Sequence, residues 1–412
     1  MSRPGESQSV RTLRDLVVGP GRAVLVLSVT EILAWGILIY PPVLTMPYVA
    51  VAHGWSLAFC MAGFSIGLIV SGILSPTSCG LIDRHGGNIV MSLGALAGAL
   101  GFIGLTLADS KATYLPCWLL IGAAMSSTLY DPAFTTLTRI FGSSARRQIT
   151  FVTFAGGFAS TVGWPAAHLL LEYFGWRGTF LAFAAVLALV IAPLNAFALP
   201  HATAAAPLRA ADNAAVTENA PARPEGALFL FLAAAFAIHA FLLSGVTSNL
   251  LAMLQRDGLD AATVVTIGAM FGPAQVAARL ADFVFSSRTH PLWIARGAIG
   301  LMAIAFTVLA LVGSNFVVAS FFAIAFGAAN GVMTIARGAL PLVLFGTVGY
   351  GRVIGRIARP ALFVQALAPF VVALALERLT DRTVLELGIV GALLALGCFL
   401  AIRPPRRSAR PA

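Results

Sequence analysis

Apolar stretches of about 20 residues follow one another along almost the whole chain, separated by short polar breaks. A helix needs roughly that length to cross a ~30 Å hydrocarbon core. Twelve such stretches are legible, at about 23–47, 56–80, 89–108, 113–138, 149–172, 177–199, 227–253, 261–286, 292–312, 316–345, 356–377 and 384–402. None shows the ten-residue alternation of an outer-membrane barrel strand, so the pattern predicts helices. The first stretch follows a polar, Arg-containing tail. It is too long for the apolar part of a signal peptide and reads as an uncleaved span.

One polar segment interrupts the series. Residues 200–226, PHATAAAPLRAADNAAVTENAPARPEG, are rich in Ala and Pro and lack apolar periodicity, which is linker composition. The chain is thereby divided into an N-terminal part (1–199), the linker and a C-terminal part (227–412), with six expected spans in each half. The halves echo each other at an offset of 205 residues: GAA at 122–124 returns at 327–329, and Gly67 returns as Gly272. Glu172, Arg177, Arg147 and His85 return as Glu377, Arg382, Arg352 and His290. An even number of spans per half predicts a parallel repeat about an axis along the membrane normal.

Composition sharpens this picture. Hydrophobic residues make up 59% of the 412 and charged residues 10%, too few to solvate a water-soluble surface of this size. The net charge of +10 comes from 26 basic residues, all but Lys111 being Arg, and most lie beside apolar runs. That placement is a membrane-topology signal, and no nucleic-acid partner is expected. With both termini in the cytoplasm, 18 basic residues fall on that side and 5 on the other. Cys60, Cys79, Cys117 and Cys398 form no CxxC or Cys/His group, so neither a metal nor a disulfide framework is expected. No nucleophile–base constellation or phosphate loop points to an enzyme, and no cofactor is implied.

Between the second and third spans the loop reads GLIDRHGGNIVM (80–91). Gly80 permits close helix contact, Asp83 and Arg84 can pair with neighbouring helix ends, and Gly86 and Gly87 allow a tight turn. These residues resemble the loop motif of the major facilitator superfamily, Gly-x-x-x-Asp-Arg-x-Gly. Gly80, Asp83, Arg84 and Gly86 match it, whereas Gly87 and Asn88 stand where basic residues are usual. The resemblance implies the major facilitator fold, an all-α membrane protein of twelve transmembrane helices in two six-helix halves around a central cavity. In that family the loop acts as a conformational latch. YDPAFTTLTRIFGSSARRQ (130–148), AGGFASTVGWP (155–165) and FGWRGTF (174–180) resemble the monocarboxylate- and oxalate-type branch, as does AARLAD (277–282). In that branch an Arg in the eighth span, here Arg279, holds a substrate carboxylate, and a carboxylate side chain couples a proton. The branch places its carboxylate before the Arg; here Asp282 follows it.

Within the spans, small residues four apart (Gly94 and Gly98, Gly327 and Gly331) suit close helix packing. Pro41-Pro42, Pro132, Pro165, Pro273, Pro341 and Pro369 each remove a helix hydrogen bond and mark expected bends. Intramembrane ionisable groups are the sharpest clue, because an unpaired charge there is expensive. They are Glu31, Asp131, His168, His239, Arg279, Asp282, Arg296 and Arg337. Glu31 and Asp131 are the candidate proton-coupling residues; Glu31 could instead be a structural group hydrogen-bonded to a neighbouring helix. Arg279 and Arg337 are candidate substrate anchors, with Tyr130, Asn330 and Trp35 as polar or aromatic lining; Trp35 shares a helix face with Glu31. Arg279 and Asp282, three apart, could instead neutralise each other. His168, Arg296 and His239 read as interfacial or structural, and Tyr40 and Gln365 as further polar candidates.

The expected function is alternating-access transport, as a monomeric multi-pass protein of a bacterial inner membrane with cytoplasmic termini. The expected partners are a small organic anion such as a monocarboxylate, protons and the bilayer. An efflux carrier for a toxic or drug-like molecule is the alternative, which Glu31 and Asp131 would suit. At the 205-residue offset Asp131 aligns with Ala336, beside Arg337, so opposite charges occupy nearly equivalent depths in the two halves. The expectation is that they pair in one state and part in another. Asp131→Asn and Arg337→Gln should each cut transport severely, since stranding one member of a buried pair costs roughly 3–5 kcal/mol. The double variant should recover folding and some exchange; additive losses in the double-mutant cycle would refute the pairing.

Overall fold

The computed structural model describes residues 19–200, 226–285 and 289–402. The expected linker at 200–226, apart from its two end residues, lies outside the described residues, as do both terminal tails. The described residues are helical with connecting turns and contain no strand. Ten runs among them are long and apolar enough to cross a membrane. One of these, Lys111–Ala198, has 88 residues and covers three of the expected spans. At 1.5 Å per residue a single helix of that length would reach roughly 130 Å, several times the membrane core. It is accordingly divided, by an extended residue at Leu129, a 3₁₀ turn at Gly142–Ser144 and a positive-φ residue at Gly175.

By internal contacts the chain forms two compact units. One lies within Met1–Glu218 and includes Gly349–Gly355; the other lies within Asn219–Val348 and Arg356–Ala412. In the first unit, α1 (Arg22–Leu38) ends just before Pro41 and Pro42, whose missing N–H groups leave two carbonyls of its last turns without intrahelical donors. Pro42 then opens α2 (Pro42–His53), a position where a helix needs no N–H. After α3 (Leu57–His85), α4 (Gly87–Leu107) and α5 (Lys111–Thr128), the chain breaks at Leu129 and resumes as α6 (Tyr130–Phe141). Pro132 explains that break, because it offers no N–H to the carbonyl of Thr128. Pro165, Pro273, Pro341 and Pro369, where bends are expected, each lie inside a helix that continues past them. Loss of one backbone bond is tolerated within a long transmembrane helix.

Small residues set the closest approaches. A Cβ at Gly94, Gly98 or Gly101 would lie 2.4–2.8 Å from Ser127, Ala124 or Ile121, so α4 and α5 touch nearly backbone to backbone. Gly122 of α5 faces α3, where a Cβ would lie 2.5 Å from the carbonyl oxygen of Gly67. The second unit repeats this contact. It contains α7 (Ala227–Arg256), α8 (Ala261–Phe285), α9 (Pro291–Val312), α10 (Phe316–Phe345), most of α11 (Tyr350–Arg378) and α12 (Asp381–Ala401). A Cβ at Gly327 of α10 would lie 2.5 Å from the carbonyl oxygen of Phe271 on α8, and one at Gly331 equally close to that of Gln275. The GAA repeat in the sequence is therefore the same helix contact made once in each unit.

Side chains satisfy several of the helix ends. Ser110 and Thr113 form a reciprocal capping box, and Asn315 accepts from the Val318 amide at 3.0 Å. Asp260, in the loop before α8, accepts from the Thr263 amide at 3.0 Å; the Thr263 hydroxyl and amide hold its carboxyl below the usual carboxylate range. Arg296 stacks on Trp293 and donates to the carbonyls of Phe399 (3.0 Å) and Ile402 (2.7 Å), closing the C-terminus of α12. Gly122→Ala and Gly327→Ala should each lower stability by about 1–3 kcal/mol, because a methyl group would strike backbone oxygen. Thermal unfolding in detergent checks this, with Gly80→Ala, where no atom of the described residues lies within 4 Å of an added Cβ, as the silent control.

Candidate functional site

Two polar clusters stand out from the apolar packing, one in each unit. In the first, Glu31 lies near the middle of α1 and is fully buried. Its Oε2 accepts from Trp35 Nε1 at 3.0 Å, the one-turn spacing that places both on one face. Oε1 has no hydrogen-bond partner among the described residues. The Trp35 ring packs on Tyr130, with centroids 4.8 Å apart, and approaches Tyr40 at 6.4 Å. Tyr130 in turn stacks on Phe134, one turn along α6. Asp131, 8% exposed, lies beside Tyr130 in sequence and close enough to Glu31 for their charges to oppose each other. A Cβ at Gly156 would lie 2.4 Å from the Tyr130 hydroxyl, so only glycine leaves room for that side chain.

This cluster unites Glu31, Trp35, Tyr130 and Asp131, four of the sequence candidates. The break at Leu129 makes it possible, because it starts a new helix at Tyr130 and turns the first residues of α6 inward. Neither Phe134 nor Gly156 was among the candidate site residues. The four-residue spacing of Tyr130 and Phe134 was the available signal for the first, and the second was marked only by its place in AGGFASTVGWP.

In the second unit Arg279 of α8 is 4% exposed. Its Nε donates to the carbonyl of Gly331 at 3.3 Å, and Nη2 to Gln275 Oε1 and Thr334 Oγ1, both at 3.4 Å. Asn330 Nδ2 donates to the same Gln275 oxygen at 2.9 Å. Arg279 and Asn330 are thus brought together, through two residues the sequence reading missed. Gln275 and Thr334 each stand four residues from a candidate, at Arg279 and Asn330, and that spacing was the overlooked clue. Arg337 lies two turns beyond Asn330 on α10, half-buried, with its charge acting on the buried His239 of α7. An apolar cavity of about 130 Å³ in this unit, walled by Leu242, Gly245, Met253, Phe306, Phe322 and Gly388, includes none of these polar candidates.

The loop motif forms a third feature, within the first unit. The Asp83 carboxylate accepts from the amides of Gly351 and Arg352, each at 3.1 Å, capping the first turn of α11. The Arg139 guanidinium donates to the Asp83 carbonyl. Asp83 therefore works as a helix cap as well as a charge. Gly86, at φ +89°, makes the turn as expected. Gly80 does not make the expected close contact: among the described residues nothing approaches within 4 Å of an added Cβ there, and the residue facing a neighbour is Gly87, where a Cβ would lie 2.2 Å from the Thr136 hydroxyl. Arg84 is exposed. Asp83→Ala should strand two helix-terminal amides, at a cost of about 1–2 kcal/mol. Hydrogen exchange at Gly351 and Arg352 should then quicken roughly tenfold; unchanged exchange in that segment would show that the cap is not formed.

The family model described as Major Facilitator Superfamily matches residues 24–358. Monocarboxylate transporter 11 of Homo sapiens is 34% identical over 140 residues, 33% of this chain and 29% of that protein. An uncharacterized 38 kDa protein in the 23S RNA operon of Thermoproteus tenax is 32% identical over 152 residues, 37% of this chain and 40% of that protein. The chain thus spans less than half the length of either curated relative. Among solved structures, the human organic anion transporter MFSD10 (TETRAN) superposes with a TM-score of 0.72 at 18% identity, over 92% of this chain and 99% of that one. The proton:xylose symporter XylE gives 0.68 at 13% identity, over 93% and 96%. At such identities the likeness is one of fold.

Proposed function

Since the chain belongs to the Major Facilitator Superfamily, and is a multi-pass membrane transporter and not an enzyme, we propose that it carries a small organic anion, such as a monocarboxylate, coupled to protons by alternating access. The observation that carries this reading is the buried guanidinium of Arg279, held by Gln275, Thr334 and the Gly331 carbonyl. A charge kept that far from water in a membrane protein is costly, and such groups mark substrate or ion pathways. The partial likeness to monocarboxylate transporter 11 points the same way. The coupling proton is assigned to Glu31, whose Oε1 is buried without a partner among the described residues and whose neighbour Asp131 opposes its charge. Neutralising Glu31 relieves that repulsion, so loading a proton and reshaping the aromatic wall of Trp35 and Tyr130 are one event. Asn330, Arg337 and the aromatic residues complete the proposed lining, and Asp83 with Arg84, Gly80 and Gly86 forms the proposed latch.

The remaining assignments are part of the same proposal: twelve spans in two six-helix halves joined by the linker at 200–226, both termini cytoplasmic, a bacterial inner membrane and a monomer. The basic residues, 18 against 5 across the two sides, support that orientation. A second reading, export of a cationic or neutral toxic compound, is favoured by the first cluster, where two carboxylates lie beside stacked aromatic rings. Reconstituted vesicles separate the two. Under an inward proton gradient the wild type should accumulate a labelled monocarboxylate, and Arg279→Gln should lose at least 90% of that uptake. Glu31→Gln should abolish gradient-driven accumulation while leaving counterflow exchange. Accumulation that persists in Glu31→Gln would reduce Glu31 to a structural group.

A further inference from the structure

Gln275 is the hub of the second cluster. Its side chain offers one acceptor oxygen with two lone pairs and one NH2 group with two donors. The structure commits that oxygen twice, to Asn330 Nδ2 at 2.9 Å and to Arg279 Nη2 at 3.4 Å. Two donors converging on one atom also fix which way the amide is turned, with Oε1 toward the cluster and Nε2 away from it. The Gln275 backbone is held just as closely: a Cβ at Gly331 would lie 2.5 Å from its carbonyl oxygen, so α8 and α10 cannot approach further there. The Gly331 carbonyl in turn accepts from Arg279 Nε at 3.3 Å. The same helix contact therefore seats Gln275 and aims the guanidinium.

We propose that Gln275 is the positioning residue that sets the charge selectivity of this site, by absorbing acceptor capacity internally so that a ligand meets donors. The inference rests on the organic-anion reading above and adds to it. With Oε1 doubly occupied, what Gln275 has left to offer a ligand is its amide NH2 group. The ligand class that complements such a surface is an acceptor-rich anion, and a carboxylate with two oxygens satisfies it best. A hydroxyl-rich neutral molecule would have to supply acceptors only, leaving its own donors unmatched. Glutamate is nearly the same shape as glutamine, but it replaces the outward NH2 by a second oxygen and adds a negative charge at the guanidinium. The polarity seen by the ligand would reverse while the packing stayed the same.

The test is a kinetic split in proteoliposomes with pyruvate and L-lactate as probes, paired with their stabilisation of the purified protein against heat. Gln275→Glu should raise the half-saturation concentration at least tenfold, with the maximal rate within about twofold of wild type. It should also remove the probe-induced rise in melting temperature. Gln275→Leu, which loses both the acceptor and the donors without adding charge, should raise half-saturation by a smaller factor, about threefold to tenfold. A purely structural role would lower the maximal rate and the ligand-free melting temperature of both variants together, and that pattern would overturn the proposal. So would wild-type half-saturation in Gln275→Glu. Should Gln275→Glu fail to fold, Gln275→Leu decides alone, and unchanged half-saturation there overturns the proposal. A wild-type protein that neither transports nor is stabilised by any carboxylate would instead refute the organic-anion reading, and this inference would fall with it.

Discussion

In hydrocarbon no water is present to bond a backbone, and apolar side chains gain nothing by leaving lipid for one another. Everything in this molecule follows from those two facts. The first makes every crossing segment a helix, and the second leaves close packing and polar contacts to hold the helices together. Glycine is the means: Gly94, Gly98 and Gly101 in one helix pair, Gly122 in another, and Gly327 and Gly331 in the second unit let backbones meet at distances any side chain would forbid. Helices pinned this closely cannot slide past one another, and that gives fixed places to the few polar groups they carry.

The two polar clusters show what such pinning achieves. Gly331 sets the separation at which Gln275, Asn330 and Arg279 come within hydrogen-bonding reach. Gly156 opens the space that the Tyr130 hydroxyl fills, and Tyr130 carries the Trp35 ring that binds Glu31. In both places the group with chemistry is an ionisable side chain, and its geometry is decided by a residue with no side chain at all.

That division explains what the sequence revealed. The apolar lengths, the repeat of GAA at 122–124 and 327–329, and the charged residues inside apolar runs were all legible, because each is a departure from the surrounding composition. Residues that act by facing a partner were harder to find. Gln275 is ordinary until Asn330, 55 positions away in sequence, is seen donating to it. Gly80 matches the loop motif and Gly87 departs from it, yet among the described residues it is Gly87 that has a neighbour, Thr136, pressed against it. The prolines divide in the same way: Pro41-Pro42 and Pro132 coincide with breaks, whereas Pro165, Pro273, Pro341 and Pro369 sit in helices that continue through them. Gly175, which bends the chain at φ +64° without any proline, was marked only by its place in Gly-Trp-Arg.

The end of the Lys111–Ala198 run has a feature of another kind. Leu187–Ile191 and Leu194–Ala198 are wound as π-helix, flanking Ala192 and Pro193. Ser92 donates to the Ala192 carbonyl at 2.9 Å and Asn88 to that of Leu199 at 2.8 Å, so carbonyls of this widened segment are bonded by side chains of α4. A π turn holds about one residue more than an α turn. It therefore works as a phase adjuster: each side chain after it is set back by about 100° relative to an unbroken α-helix. Asn195 is fully buried in that phase, while Leu189 and Phe197 are 75% and 81% exposed. Removing one residue from this stretch would leave its length and hydropathy almost untouched, yet would turn the amide of Asn195 towards lipid. Two chains indistinguishable by any hydropathy plot could thus differ in whether this helix has a place to sit.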